Sequence, residues 1–355
     1  TGRCQNRGVV LAVQDTTSLN YTAHTAIDGL GPIARRTHGA QGLLLHDTMA
    51  FSPEGTPLGL VDVQAWARQS DQHPPQQLTS DRRAVGPKES AKWHVSHARA
   101  GELQGQLDGT RVVSVADREG DTFELLTAAQ EPGAADILVR AQHARKLAGG
   151  GRLMTHLDAQ PQQGEVELHV PPRGNQPARK ARMAVRFARV TVAPPQRKGQ
   201  AKQAPVTLDA VRTTEIDPPA GTQPLAWTLL TTVASETFAE AQERIRWYAA
   251  RWQIEVYHRT FKSGCRVEDR QLGNADRLEA CPAVDLIVAW RVFWLTKRAR
   301  ETPDTPCSTF FEPDQWKALL LRTSADPSPD PGPEQEPTLR QATRLVAQLG
   351  GFIAT

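Results

Sequence analysis

Residues Ser235–Gly264 read SETFAEAQERIRWYAARWQIEVYHRTFKSG, and how they fold decides how the rest of the chain is read. Thr237 and Glu240 have the spacing of a capping box, with Ser235 as an alternative N-cap. No Pro or Gly follows until Gly264, which stands where a C′ glycine would end a helix. The pattern predicts one unbroken helix over residues 236–264. At about 100° per residue, Tyr248, Arg251, Glu255 and Lys262 fall on a stripe roughly 60° wide. Taken alone, a carboxylate flanked by two cations and a phenol is an ordinary solvated stripe of helical ion pairs. It becomes a site only if other segments bring partners to Glu255.

The bulk numbers exclude little. A chain of 355 residues can bury a large core in one or two domains. With 39% apolar and 23% charged residues it is globular in composition. The net charge of +3 does not single out a polyanion, but its distribution does. Between Leu168 and Leu208 there is no Asp or Glu, while Arg173, Arg179, Lys180, Arg182, Arg186, Arg189, Arg197, Lys198 and Lys202 all fall there. That excess reads as a footprint for a polyanion, or else as a solvated basic linker. Cys4, Cys265, Cys281 and Cys307 show neither C-x-x-C pairing nor zinc spacing, which fits a reducing, cytoplasmic setting. His94 and His97 sit one turn apart with no third ligand near, an unpromising zinc site. No apolar run approaches the roughly 18 residues of a membrane span. The opening at Thr1 and the apolar close at Leu349–Thr355 read as those of a fragment.

From the first residue onward, VVLAVQ (9–14) reads as a buried strand that delivers Asp15 into a turn. Residues 43–51 and 58–66 complete an antiparallel meander, and Gln69–Gly86 an exposed loop. A helix follows from about Lys88 to Ala100. RVVSVA (111–116) is a second valine-rich strand ending on an aspartate, Asp117; a helix then runs to about Gln130 and a strand covers 135–141. Between 153 and 232 short alternating stretches (165–170, 184–193, 206–216, 225–232) are separated by Pro-, Gly- and Lys/Arg-rich connectors, the pattern of a β-rich insertion. A helix spans 283–300, eight prolines mark 302–337 as a linker, and a last helix starts at 338. The implied divisions are 1–150 and 235–301 for a main core, 151–234 for the insertion, 302–337 for the linker and 338–355 for a C-terminal helical region.

Neighbouring strands lie about 5 Å apart, so Asp15 and Asp117 can sit side by side, an arrangement that a hard divalent cation makes affordable. With Glu255 as a third carboxylate, the set suits two-ion phosphoryl transfer by Mg²⁺, with Mn²⁺ as the alternative. A carboxylate-pair glycosidase would instead need aromatic sugar platforms and no basic belt.

With these segments together, the chain resembles the bacterial DDE transposases of the ribonuclease H-like superfamily, in the insertion-sequence-four group. That group's signature, Tyr, two residues, Arg, three residues, Glu, six residues, Lys, stands complete as Tyr248, Arg251, Glu255 and Lys262. Gln14-Asp-Thr-Thr-Ser18, Lys88-Glu-Ser-Ala-Lys-Trp93 and Asp117-Arg-Glu-Gly-Asp121 match its other motifs, and the resemblance runs from about Val9 to the final Leu349-Gly-Gly-Phe. It implies an α/β fold: a mixed five-stranded ribonuclease H-like sheet flanked by helices, with the β-rich insertion preceding the helix of the catalytic glutamate. Asp15, Asp117 and Glu255 become the catalytic residues, holding two Mg²⁺ ions. Tyr248, Arg251 and Lys262 become phosphate contacts, and Trp227 and Trp252 candidates to stack a flipped base. Arg140, Arg145, Lys146, Arg179 and Lys180 are implied as further DNA contacts. The implied activity is cleavage and strand transfer at transposon-end DNA through a hairpin, then joining to target DNA, by a homodimer in the full-length protein. The N-terminal end-recognition domain and C-terminal dimerisation helices of that family have no counterpart here. The competing expectation is therefore a truncated remnant that binds DNA without cutting it.

Overall fold

Strand β1 (Gly8–Asn20) lies at the centre of the sheet because both of its faces are apolar. Leu11 and Val13 point to one side, Val10 and Ala12 to the other, and all four are fully buried. The structure is a computed structural model and describes residues 1–34, 39–68, 89–170, 177–196, 203–323 and 336–349. Strand β3 (Gln41–Phe51) pairs antiparallel with β1, and its far edge is shared by the two-residue β2 (Gly31–Pro32) and by β4 (Pro57–Trp66). On the other side β5 (Thr110–Ala116) runs parallel to β1, and β6 (Asp136–Arg140) parallel to β5. Parallel neighbours need crossover connections, and helices α1 (Ala91–Gln104) and α2 (Phe123–Ala128) supply them.

After α3 (Leu153–Asp158), strands β7 (Gly164–Val170), β8 (Arg179–Val192), β9 (Val206–Glu215) and β10 (Ala226–Thr231) form an antiparallel meander. Here the five-stranded expectation needs correcting. β10 pairs antiparallel with β6, placing Leu229 opposite Arg140, so the meander prolongs the central sheet. The described residues form one ten-stranded sheet in the order β2-β3-β1-β5-β6-β10-β9-β8-β7, with β4 also on β3. The sequence shows strands at these positions, but a strand's partner is invisible in its own pattern.

Helices α4 (Phe238–Ala250), α5 (Gln253–Arg259), α6 (Ala275–Ala280) and α7 (Pro282–Glu301) follow. Ile245, Trp247, Tyr248, Ile254, Tyr257 and Leu286 from this group share a core with Leu11, Val13, Leu45, Met49, Val113 and Val115. The opposite face is covered by Phe123, Leu125 and Leu126 over Ile137 and Val139, and by Ala100 over Val10, Ala12 and Val112. The two-residue alternation along β1, β5 and β6 thus sorts side chains into two buried layers.

The long helix is not continuous. Its capping box forms: Glu240 N–H donates to Thr237 Oγ1 at 3.3 Å, and Thr237 N–H to Glu240 Oε2 at 2.9 Å. The helix then breaks at Arg251–Trp252, resumes as α5, and widens into a π turn over Thr260–Gly264. Across the break, the amides of Arg251, Trp252, Ile254 and Glu255 bond three residues back, to Tyr248, Ala249, Arg251 and Trp252. Such tight turns advance about 120° per residue instead of 100°, so Glu255 is rotated relative to the ideal stripe. Gly264 is not the cap either; the left-handed residue is Arg266, with φ 51°.

A second correction concerns 302–337. Helix α8 (Pro313–Thr323) falls inside the expected linker, and with α9 (Leu339–Leu349) it lies against the end of α7. Leu295, Ala299, Cys307, Phe311, Leu339 and Ala342 form a small core there. The rest of that proline-rich stretch (324–335), the predicted loop at 69–86 and the final 350–355 lie outside the described residues. Among the described residues no helix is long and apolar enough to cross a membrane.

Candidate active site

The parallel register sets Val13 against Val115. Two residues further along each chain come Asp15 and Asp117, whose odd positions put them on the face covered by α4 and α5. Asp117 ends its strand as predicted and caps a 3-10 turn, accepting from Glu119 N–H at 2.8 Å. Asp15 differs from expectation: it lies inside β1, not in a turn, directly opposite Asp47 of β3.

Arg251, at the helix break, joins the sheet to α5. Its Nη1 stands 3.6 Å from Asp15 Oδ2, and its Nη2 donates to Glu255 Oε1 at 2.7 Å. One guanidinium therefore spans two of the three predicted carboxylates, and Asp117 is close enough to act on Asp15. Burial pushes the Asp15 carboxyl up to about 6, and the Asp117 charge adds to this. Arg251, His258 and the Thr16 N–H work the other way. Tyr248 is buried between Arg251, Arg140 and Asp117, and its phenol is raised, first by burial. Trp227 packs edge-on against Tyr248 with ring centroids 5.0 Å apart. Arg140 Nη2 donates to Ala226 O at 2.9 Å. Trp252, 39% exposed at the break, presents the freer aromatic face. Lys262 is half-buried on the π turn, and burial lowers its pKa against the pull of Glu268.

Two residues of the site escaped the sequence reading. His258 Nε2 lies 2.5 Å from Asp47 Oδ1, and its Nδ1 is 3.9 Å from Asp15 Oδ2. Burial opposes the charge of this imidazole, but Asp47 and then Asp15 outweigh it and raise the pKa. An acid inside the apolar run LLLHDTMAF, and a histidine three residues beyond Glu255 on one helix face, were the available signals.

The basic residues are more engaged than their sequence suggests. Arg145 is buried against Asp121: its Nε donates to Asp121 Oδ1 at 2.8 Å and its Nη2 to Asp121 O at 2.8 Å. Asp121 Oδ2 also accepts from Gln142 N–H and His143 N–H at 2.7 and 3.0 Å. As a free phosphate contact, Arg145 is a correction; as a clamp on the turn after β6, it is fully used. Arg179 forms a two-pronged pair with Glu215, and Lys180 meets Glu167 at 2.8 Å. Arg182 meets Glu165 and Asp217, and Arg189 meets Asp209. All these acids lie just outside 168–208, and strand pairing brings them in, so the described part of the belt is largely compensated. Exposed pairs such as Lys180–Glu167 hold weakly and can exchange for phosphate. Lys146 is exposed. Arg173, Arg197, Lys198 and Lys202 lie outside the described residues.

No protein-family model matches the chain. Among the described residues no group of three or more His, Cys, Asp or Glu is gathered tightly enough to hold a metal ion. The chemistry of the donors nevertheless fits one: they are hard carboxylate oxygens, and the half-buried Asp15 beside Asp117 calls for positive charge, which Arg251 now supplies.

The Asp15 carboxyl gives a pH prediction. Its pKa is about 6 folded against an ordinary 3.8, so the folded state holds the proton more tightly. The stability due to Asp15 is therefore fully present below pH 4, falls as pH rises from about 4 to 6, and is flat above. In EDTA, urea unfolding of the native chain should lose up to roughly 3 kcal/mol across that window relative to Asp15→Asn. Parallel curves for the two proteins would remove the assignment.

Proposed function

We propose that the chain is the catalytic core of a DDE transposase with a ribonuclease H-like fold, which cuts and joins DNA strands. The observation that carries this reading is the guanidinium of Arg251 spanning Asp15 and Glu255, beside Asp117 on the next parallel strand. The strand sequence β4-β3-β1-β5-β6, antiparallel in its first three members and parallel in its last three, supports the fold. Asp15, Asp117 and Glu255 would hold Mg²⁺ or Mn²⁺, two ions in all, which when bound supply Lewis-acid charge at the attacking and leaving oxygens. Arg251, already cationic between carboxylates, is suited to holding the scissile phosphate by its two-pronged donor edge. Tyr248 and Arg140 adjoin that position, and Lys262 and Lys146 are the further candidates for phosphate contact. The exposed Trp252 suits stacking of a displaced base better than Trp227, which is already packed on Tyr248. The partners are transposon-end and target DNA, engaged by a homodimer of the full-length protein in the bacterial cytoplasm.

The direct test is strand cleavage on supercoiled plasmid, with DNA affinity measured in parallel. We expect nicks bearing 3′-hydroxyls with Mg²⁺ or Mn²⁺ and none in EDTA. Tight DNA binding with no cleavage under any divalent ion would sink the enzyme reading in favour of a binding remnant.

A further inference from the structure

Asp47 is completely buried in the middle of an apolar strand, where a leucine would pack without cost. Burying a carboxylate costs several kcal/mol unless it is paired, so its presence calls for a reason. Its partner, His258, is itself 7% exposed and comes from a different layer of the protein. The imidazole turns Nε2 toward Asp47 and Nδ1 toward Asp15, so its ring stands between one acid of β3 and one of β1. Nε2 donates and Asp47 Oδ1 accepts, which fixes the ring's orientation. The other carboxylate oxygen, Oδ2, has no hydrogen-bond partner, unlike the saturated Asp121 clamp.

Helix α5, which carries both Glu255 and His258, has only seven residues, too few to be stable alone. It is bounded by the break at Arg251–Trp252 and by the π turn at Thr260–Gly264. Regular helix therefore fixes its rotation at neither end. Tyr257 Oη ties it to Leu286 O of α7 at 3.1 Å. On the sheet side it is held, among the described residues, by the hydrogen bond from His258 to Asp47. Glu255 and His258 are three residues apart and so share a side of the helix.

We infer that Asp47 and His258 are a positioning pair that sets the rotation of α5, and so places Glu255 against Asp15. The inference rests on the transposase reading, because it concerns where the third carboxylate stands. Both act through Asp15 and Glu255, as outer partners do in carboxylate metal sites.

The test compares His258→Leu, His258→Gln and Asp47→Asn with the native protein in Mn²⁺ titrations followed by electron paramagnetic resonance, plasmid nicking, DNA affinity and thermal melting. For His258→Leu we expect a cooperative melt, near-native DNA affinity, Mn²⁺ binding at least about tenfold weaker and nicking down by about 100-fold. His258→Gln, whose amide can still donate to Asp47, should recover most of the Mn²⁺ affinity. A folded His258→Leu with native Mn²⁺ affinity overturns the inference, as does a glutamine variant no better than leucine. If His258→Leu does not fold, Asp47→Asn decides: weakened Mn²⁺ binding supports the pair and native binding overturns it. Native protein that neither binds Mn²⁺ nor nicks DNA removes the transposase reading, and the positioning role with it. Loss confined to the variants separates the two failures.

Discussion

Replacing Glu255 with Gln should lower Mg²⁺-dependent strand cleavage by about 10³-fold or more, roughly 4 kcal/mol of transition-state free energy. The amide keeps the size of the side chain and can still accept from Arg251 Nη2, now 2.7 Å from Glu255 Oε1. What disappears is the charge. Losing the Arg251 pair itself matters little for folding, since it is an i,i+4 pair whose glutamate is about a third exposed; such pairs contribute a few tenths of a kcal/mol. The melting temperature should move by no more than a few degrees, and DNA affinity should hold or rise slightly, because one negative charge has gone from the phosphate side. Rate loss without loss of stability or binding is the signature to look for. Native cleavage by Glu255→Gln would falsify the catalytic assignment.

Asp121→Ala should behave in the opposite way, costing about 3–5 kcal/mol of stability. The Arg145 side chain is 7% exposed, and its partner's carboxylate is inaccessible. Truncating the acid leaves a buried guanidinium and the Gln142 and His143 amides without their acceptor. Urea unfolding measures the loss, with Asp121→Asn expected to fall between alanine and native. Were Arg145 free to reach phosphate, Asp121→Ala would leave stability alone and tighten DNA binding; that result would return it to the contact list. The experiment also separates the two aspartates of the Asp117–Asp121 motif, one proposed as a metal ligand and the other holding the turn after β6.

Several of these assignments were legible because they depend on local pattern. Two valine-rich runs each followed by an aspartate gave β1 and β5, and the parallel pairing of these strands brings Asp15 and Asp117 close together. The capping box at Thr237 was equally local and is present. Other features depend on partners that one segment cannot reveal. The helix break at Arg251 has neither Pro nor Gly to announce it, and arises where the helix changes from packing under β8 and β9 to packing under β1. The acid-free window 168–208 looked like open positive charge because its counter-ions sit on neighbouring strands. Arg145 was misread for the same reason: its exposure is decided by Asp121, 24 residues earlier. Asp47 and His258 were overlooked because each alone resembles an ordinary core oddity. Their meaning lies in the β1–β3 register, which sets Asp47 opposite Asp15.

The sheet that continues from β6 through β10 into the meander also imposes an order of events on the nascent polypeptide. The strand that closes onto β6 is the last of ten to be synthesised, and α4 and α5 follow it. Asp15 and Asp117 therefore leave the ribosome well before Arg251 and Glu255, by an interval on the order of ten seconds at ordinary elongation rates. During that interval the two aspartates exist without their guanidinium or third carboxylate. A site built in this order stays incomplete until nearly all of the described sheet has closed, so a prematurely terminated chain would carry two of the acids but not the Arg251–Glu255 pair.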